Sequence, residues 1–157
     1  GLVCPAPCAD DALLDIADLA SCSVCTAEAL GASALDAGYG VVPPFLPPAT
    51  AAGDPAKCQD AVAKAAKKLA ADWTRALAKC EEANASGKNM PALDCPSDPE
   101  GEILTAISRA DALVARCIDF AGLDGCAATG DIAGTQACVE TAIADYAPGY
   151  TDVGYPW

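Results

Sequence analysis

The chain has no histidine, a single methionine, and aromatic side chains at only 5% of its 157 positions. Without histidine the commonest general base and metal ligand is missing, so Ser-His-Asp and Cys-His catalytic arrangements are impossible. Cations are missing from whole stretches: no Lys or Arg occurs in residues 1–56 or 117–157, and the formal net charge is −13. Phosphate recognition needs a basic surface, so this distribution speaks against a nucleic-acid partner. No apolar run reaches the roughly 18 residues that would suggest a membrane helix, and no membrane span is expected. EF-hand spacings, phosphate-cradling glycine loops and nucleophile elbows are absent too, so neither an enzyme nor a bound cofactor is expected.

What the chain does have is cysteine and alanine. Ten cysteines, an even number, point to a disulfide framework made in an oxidising compartment. The start at Gly1 without methionine is read as a removed signal peptide, giving an extracellular or cell-surface protein. A zinc site would call for repeated CxxC pairs or histidine, and CxxC occurs once, at Cys22 and Cys25. Cuprous ions held by thiolates would need cysteines recurring along several helices, which only that pair approaches. About a quarter of the positions are alanine, the best helix former. Slim, closely packed helices are therefore expected, in an all-α fold stapled by bridges.

The strongest periodicity predicts a helix from about Pro55 to Ala85, with Cys58, Val62, Ala65, Leu69, Trp73, Ala76 or Leu77, and Cys80 on one face. Asp54 is its expected cap, Pro55 lies in the first turn, and Gly87 marks its end. A second helix is predicted from Ser97 to Phe120, capped by Ser97 or Asp98, with Ile103, Ile107, Ala110, Val114 and Cys117 as its buried stripe. The short Pro/Asn/Gly-rich connection folds the two into an antiparallel hairpin. That places Cys58 beside Cys117 and Cys80 beside Cys95.

The two ends of the chain echo each other. Asp15-Ile16-Ala17 with Cys22 recurs, at one common offset, as Asp131-Ile132-Ala133 with Cys138. Each block follows a cysteine, Cys8 or Cys126, and precedes a Tyr/Gly segment, Tyr39-Gly40 or Gly149-Tyr150. A short repeat flanking the hairpin is one reading; chance similarity in an alanine-rich chain is the other. The repeat equates Cys8–Cys22 with Cys126–Cys138 and leaves Cys4 for Cys25, nested across an extended strip. The organisation expected is a helical block over 1–40, a Pro-rich linker over 41–56, the hairpin over 57–120, a second helical block over 121–148 and an aromatic tail over 149–157, forming one unit.

Three features point outward. In Val41-Val42-Pro43-Pro44-Phe45-Leu46-Pro47-Pro48 the paired prolines enforce an extended strip with Phe45 and Leu46 at its tip, either a stiff linker or a docking peptide. Tyr146, Tyr150, Tyr155 and Trp157 crowd the C-terminal segment, where they dock on the chain's own core or on a neighbour. Lys57, Lys64, Lys67, Lys68, Arg75 and Lys79 lie on the first hairpin helix, either solvating it or meeting acidic neighbours. Adjacent acids such as Asp10-Asp11, Glu81-Glu82 and Asp98 with Glu100 and Glu102 are ascribed to capping and solvation. Asn84, in Asn84-Ala85-Ser86, matches a glycan acceptor.

Lys57-Cys58-Gln59, Lys64 and Leu77-Ala78-Lys79-Cys80, together with Asp18-Leu19-Ala20-Ser21-Cys22 and Tyr39-Gly40, resemble a cysteine-rich helical repeat of secreted deltaproteobacterial proteins. The resemblance covers most of the chain, with the closing block present before the hairpin as well as after it. It implies an extracellular, often repeated module and transfers no catalytic residue. The expected role is a secreted, non-catalytic structural protein whose partners are copies of itself, in a filament or surface layer. Phe45, Leu46, Tyr146, Tyr150, Tyr155 and Trp157 are the candidate subunit contacts. The alternative is a monomeric helical module that binds an apolar ligand.

Overall fold

The computed structural model describes residues 3–8, 15–40 and 55–148. The protein is all-α, with four helices and no strands among these residues. The first, α1 (Ile16–Tyr39), begins where Asp15 turns its carboxylate back onto the amides of Ala17 and Asp18, at 2.7 and 2.9 Å. Two otherwise orphaned donors are thereby satisfied. It stops at Gly40, whose positive φ of 77° ends the helical path.

The longest helix, α2 (Pro55–Ala85), has the bounds its periodicity predicts; its expected cap, Asp54, lies outside the described residues. Gly87 closes it at φ 72°, letting the Lys88 amide reach back to the Ala83 carbonyl at 2.9 Å. After a 3-10 turn at Cys95–Ser97 comes α3 (Glu102–Val114), shorter at both ends than the expected Ser97–Phe120. At its start Asp98 and Gly101 both take left-handed backbone conformations, which a continuing helix cannot accommodate. Asp98 nevertheless caps α3 from outside, accepting from Ile103 and Leu104 at 2.9 and 2.8 Å. At its other end the amides of Arg116 and Cys117 tighten onto Leu113 and Val114. A second 3-10 turn, Gly125–Thr129, leads to α4 (Ile132–Ala144), capped by Asp131 on the Gly134 amide at 2.7 Å.

Helix α2 is the axis of the molecule, and α1, α3 and α4 all pack on it. Its Val62, Ala65, Ala66 and Leu69 meet Ala106, Ala110 and Val114 of α3, Val139 and Ile143 of α4, and Leu30 and Ala37 of α1 in one core. A fully buried leucine or isoleucine contributes about 1.5–3 kcal/mol, whereas a single methyl group gives about 0.8 kcal/mol. A core this rich in alanine gains correspondingly less from burial, which is the gap disulfides fill. Small residues also let the helices come close. At Gly38 of α1 an added Cβ would lie 2.7 Å from the Ala63 Cα of α2, so only glycine fits that crossing.

Candidate interaction surface

All ten sulfurs are paired, leaving no thiolate for a metal, and among the described residues no cluster of three or more potential ligands is gathered. In the hairpin Cys58 joins Cys117 and Cys80 joins Cys95, with Cα–Cα distances of 4.7 and 5.7 Å. Cys126 joins Cys138. These three pairs are those expected from antiparallel α2 and α3 and from the C-terminal block.

The N-terminal clasp differs from expectation. Cys4 pairs with Cys22 and Cys8 with Cys25, so the nested Cys4–Cys25 and Cys8–Cys22 arrangement is replaced by one running alongside α1 in the same direction. The nested pairing assumed an extended strip, which over four residues spans about 13 Å. Instead the Cys8 amide bonds the Pro5 carbonyl at 3.0 Å, folding the strip into a turn. The turn brings its two cysteines toward the one-turn spacing of Cys22 and Cys25, about 4.5 Å of helical rise. The likeness between the two ends is therefore partial: Asp15 and Asp131 cap alike, both at φ −147°, but Cys22 and Cys138 find unlike partners.

One polar residue the periodicity had not singled out fixes α1 against the rest. Gln59 is 0% exposed. Its side-chain NH2 group donates to the carbonyls of Gly38 and Asp124, and its carbonyl accepts from the Asp124 amide at 3.3 Å. Beside it Gly125, at φ 62°, lies so close to α1 that a Cβ would sit 2.5 Å from the Asp36 carbonyl oxygen. Gln59 is three residues before Val62 on the buried stripe, and a polar residue at such a position is the signal that could have revealed it.

The outer face of α1 is less covered. Ile16, Val24 and Leu35 are 84%, 58% and 61% exposed on a helix with three acids and no base. Between α1 and α2 runs an open groove of about 720 Å³. Leu30, Ala34, Ala63 and Ala70 line it, and Lys64 and Lys67 reach into its α2 side. Most of the lysine stripe is neutralised within the chain. Lys64 pairs with Asp60 at 2.6 Å, Lys68 and Arg75 flank Asp72 at 3.3 and 2.9 Å, and Lys79 reaches Glu100 and Glu102. The bond to Glu102 chiefly, with that to Glu100, holds the Lys79 ammonium above its ordinary pKa. Burial raises the Asp111 carboxyl. Among the described residues Lys57 and Lys67 have no ion-pair partner.

Asn84 occupies a structural position. Its side-chain nitrogen, the atom a glycan would take, donates to the Leu93 carbonyl at 2.9 Å and approaches the Cys95 sulfur at 3.3 Å. Its oxygen accepts from the Leu93 amide and the Asn89 side chain. Tyr146 lines a cleft between α1 and α4 with Ala29 and Ser33, packed against the main core. Phe45, Leu46, Tyr150, Tyr155 and Trp157 lie outside the described residues. No described helix is long and apolar enough to cross a membrane. Comparison with protein-family models, curated proteins and solved structures finds no significant match.

Proposed function

We propose that this is a secreted, non-catalytic structural protein that assembles with copies of itself into an extracellular filament or surface layer. The observation that carries the reading is the outer face of α1, where a helix already packed on α2 and α4 still exposes Ile16, Val24 and Leu35. Apolar surface concentrated in this way marks an interaction site. Five bridges suit an oxidising, extracellular compartment and a module built to keep its shape. The resemblance to a repeated secreted module points the same way, and Phe45, Leu46, Tyr150, Tyr155 and Trp157 would add contacts of the aromatic-anchor kind.

A second reading, a carrier of an apolar ligand, is favoured by the groove of about 720 Å³ between α1 and α2. Light scattering and negative-stain imaging of the unreduced protein separate the two. Assembly gives masses at multiples of 15.6 kDa and regular particles. A 15.6 kDa monomer that takes up an apolar dye stoichiometrically would favour the carrier.

A further inference from the structure

Ile16, Ala20, Val24, Ala27, Gly31 and Leu35 are all exposed and follow one another along α1 at steps of four, four, three, four and four residues. At 1.5 Å per residue and 3.6 residues per turn they form a seam about 28 Å long within an arc of about 100°. That is the width of stripe with which a helix ordinarily faces a core. Helix α1 thus has two apolar sides. Cys22, Thr26, Leu30 and Ala37 form the buried one; Gly38 lies on the seam's own arc and is covered where α2 crosses at Ala63, and before that crossing the seam faces solvent.

The seam is complementary to itself. It places the large Val24 and Leu35 on either side of the small Ala27 and Gly31, and a Cβ built on Gly31 would meet nothing within 4 Å. Turned antiparallel about a two-fold axis at the level of Ala27 and Glu28, a second α1 brings Val24 over Gly31 and Leu35 over Ala20, in both directions at once. Large side chains then fall on small ones between residues 20 and 35, while Ile16 of each copy comes level with Tyr39 of the other.

The charges of α2 obey the same symmetry. Gly38 crosses α2 at Ala63, and Ala27 and Thr74 line the same groove in antiparallel register, so the axis passes α2 near Thr74. On the groove side of α2, Lys67 stands two helical turns before Thr74 and Glu81 two turns after it. Among the described residues neither has an ion-pair partner within its own chain. The two-fold that interlocks the α1 seams brings Lys67 of each copy level with Glu81 of the other.

We propose that the outer faces of α1 and α2 form a two-fold, antiparallel contact with a second copy of this chain, closed by two Lys67–Glu81 pairs. The inference rests on the self-association proposed above and specifies its repeating unit as a pair. The test is sedimentation equilibrium of the full chain, with far-UV circular dichroism and the absence of free thiols as the check on folding. Wild type is expected to form dimers or larger even-numbered species. Val24→Glu with Leu35→Glu should remove the dimer. Lys67→Glu should weaken it about tenfold, as two exposed ion pairs turned repulsive would, and Glu81→Lys added to Lys67→Glu should restore it. A wild type that is monomeric throughout would end both the self-association and this surface. A folded Val24→Glu, Leu35→Glu variant that still associates would overturn this surface alone, leaving self-association to other contacts. Gly31→Arg, at an exposed position with open space around it, provides a second disruption if the double variant misfolds, and its association would count against the surface in the same way.

Discussion

The clasp at the N-terminal end and the body around α2 use the same bond for different purposes. In the body, Cys58, Cys117 and Cys126 belong to the main apolar core, and the bridges reinforce contacts that packing already makes. In the clasp, Cys4 and Cys22 form a small cluster of their own with only Cys8 and Leu19 packed against it. Cys8 and Cys25 are half-exposed there. Where burial is available, disulfides add to it; where α1 runs beyond the core, they stand in for it. The difference explains how a helix can keep a solvent-facing apolar seam and still be tied down near its start. That end is bonded to residues 3–8 through two bridges, which leaves the outer face free.

The sharpest way to break the comparison is to remove one bridge from each region. Replacing Cys58 and Cys117 by alanine opens a loop of 59 residues, and the chain-entropy relation for such a loop gives a loss of about 4 kcal/mol in unfolding free energy. Replacing Cys8 and Cys25 should change the main unfolding transition by less than about 1 kcal/mol, because the affected segment opens locally. Denaturant titration of both variants measures the contrast, and equal losses would erase it.

The next effect concerns the junction where α1 meets the body. Gly125→Ala places a methyl group against the Asp36 and Ala37 carbonyls at a left-handed backbone position, and should cost about 3 kcal/mol. Gln59→Leu removes the partners of the Gly38 and Asp124 backbone groups without opening a large cavity, and should cost about 2 kcal/mol. Thermal unfolding of each variant tests the order. A Gln59→Leu protein as stable as wild type would show that α1 is held by packing alone.

Much of this arrangement was legible in the sequence. The span of α2 followed from apolar residues at three- and four-residue steps, and the antiparallel hairpin then brought Cys58 to Cys117 and Cys80 to Cys95, because a helix pair with a short connection has few registers. The pairing in the clasp is not legible in the same way, because it depends on a local turn between Pro5 and Cys8, whereas a Cys-Pro-Ala-Pro-Cys string suggests extension. The shortening of α3 was hidden for a similar reason: Asp98 is a good cap, but Gly101 determines where its helix can start. The seam on α1 is not legible in the sequence because an alanine-rich helix is apolar almost all round, and periodicity alone cannot say which side is buried.

The smallest effect uses the two equivalent caps. Asp15→Ala and Asp131→Ala remove similar bonds, each worth about 1 kcal/mol to its helix. Asp131→Ala should lower the main transition by that amount, since α4 supplies Val139 and Ile143 to the core. Asp15→Ala should leave it almost unchanged and loosen only the first turns of α1. If both shift it equally, the beginning of α1 is part of the cooperative body.

The division of labour between bonds and packing is tested most directly by amide hydrogen exchange, comparing the intact protein with a variant carrying alanine at Cys4, Cys8, Cys22 and Cys25. Protection should fall over residues 16–25 and stay unchanged through α2, α3 and α4. Loss of protection spread across all four helices, or no loss anywhere, would contradict the claim that the clasp, rather than the core, keeps that end of α1 in place.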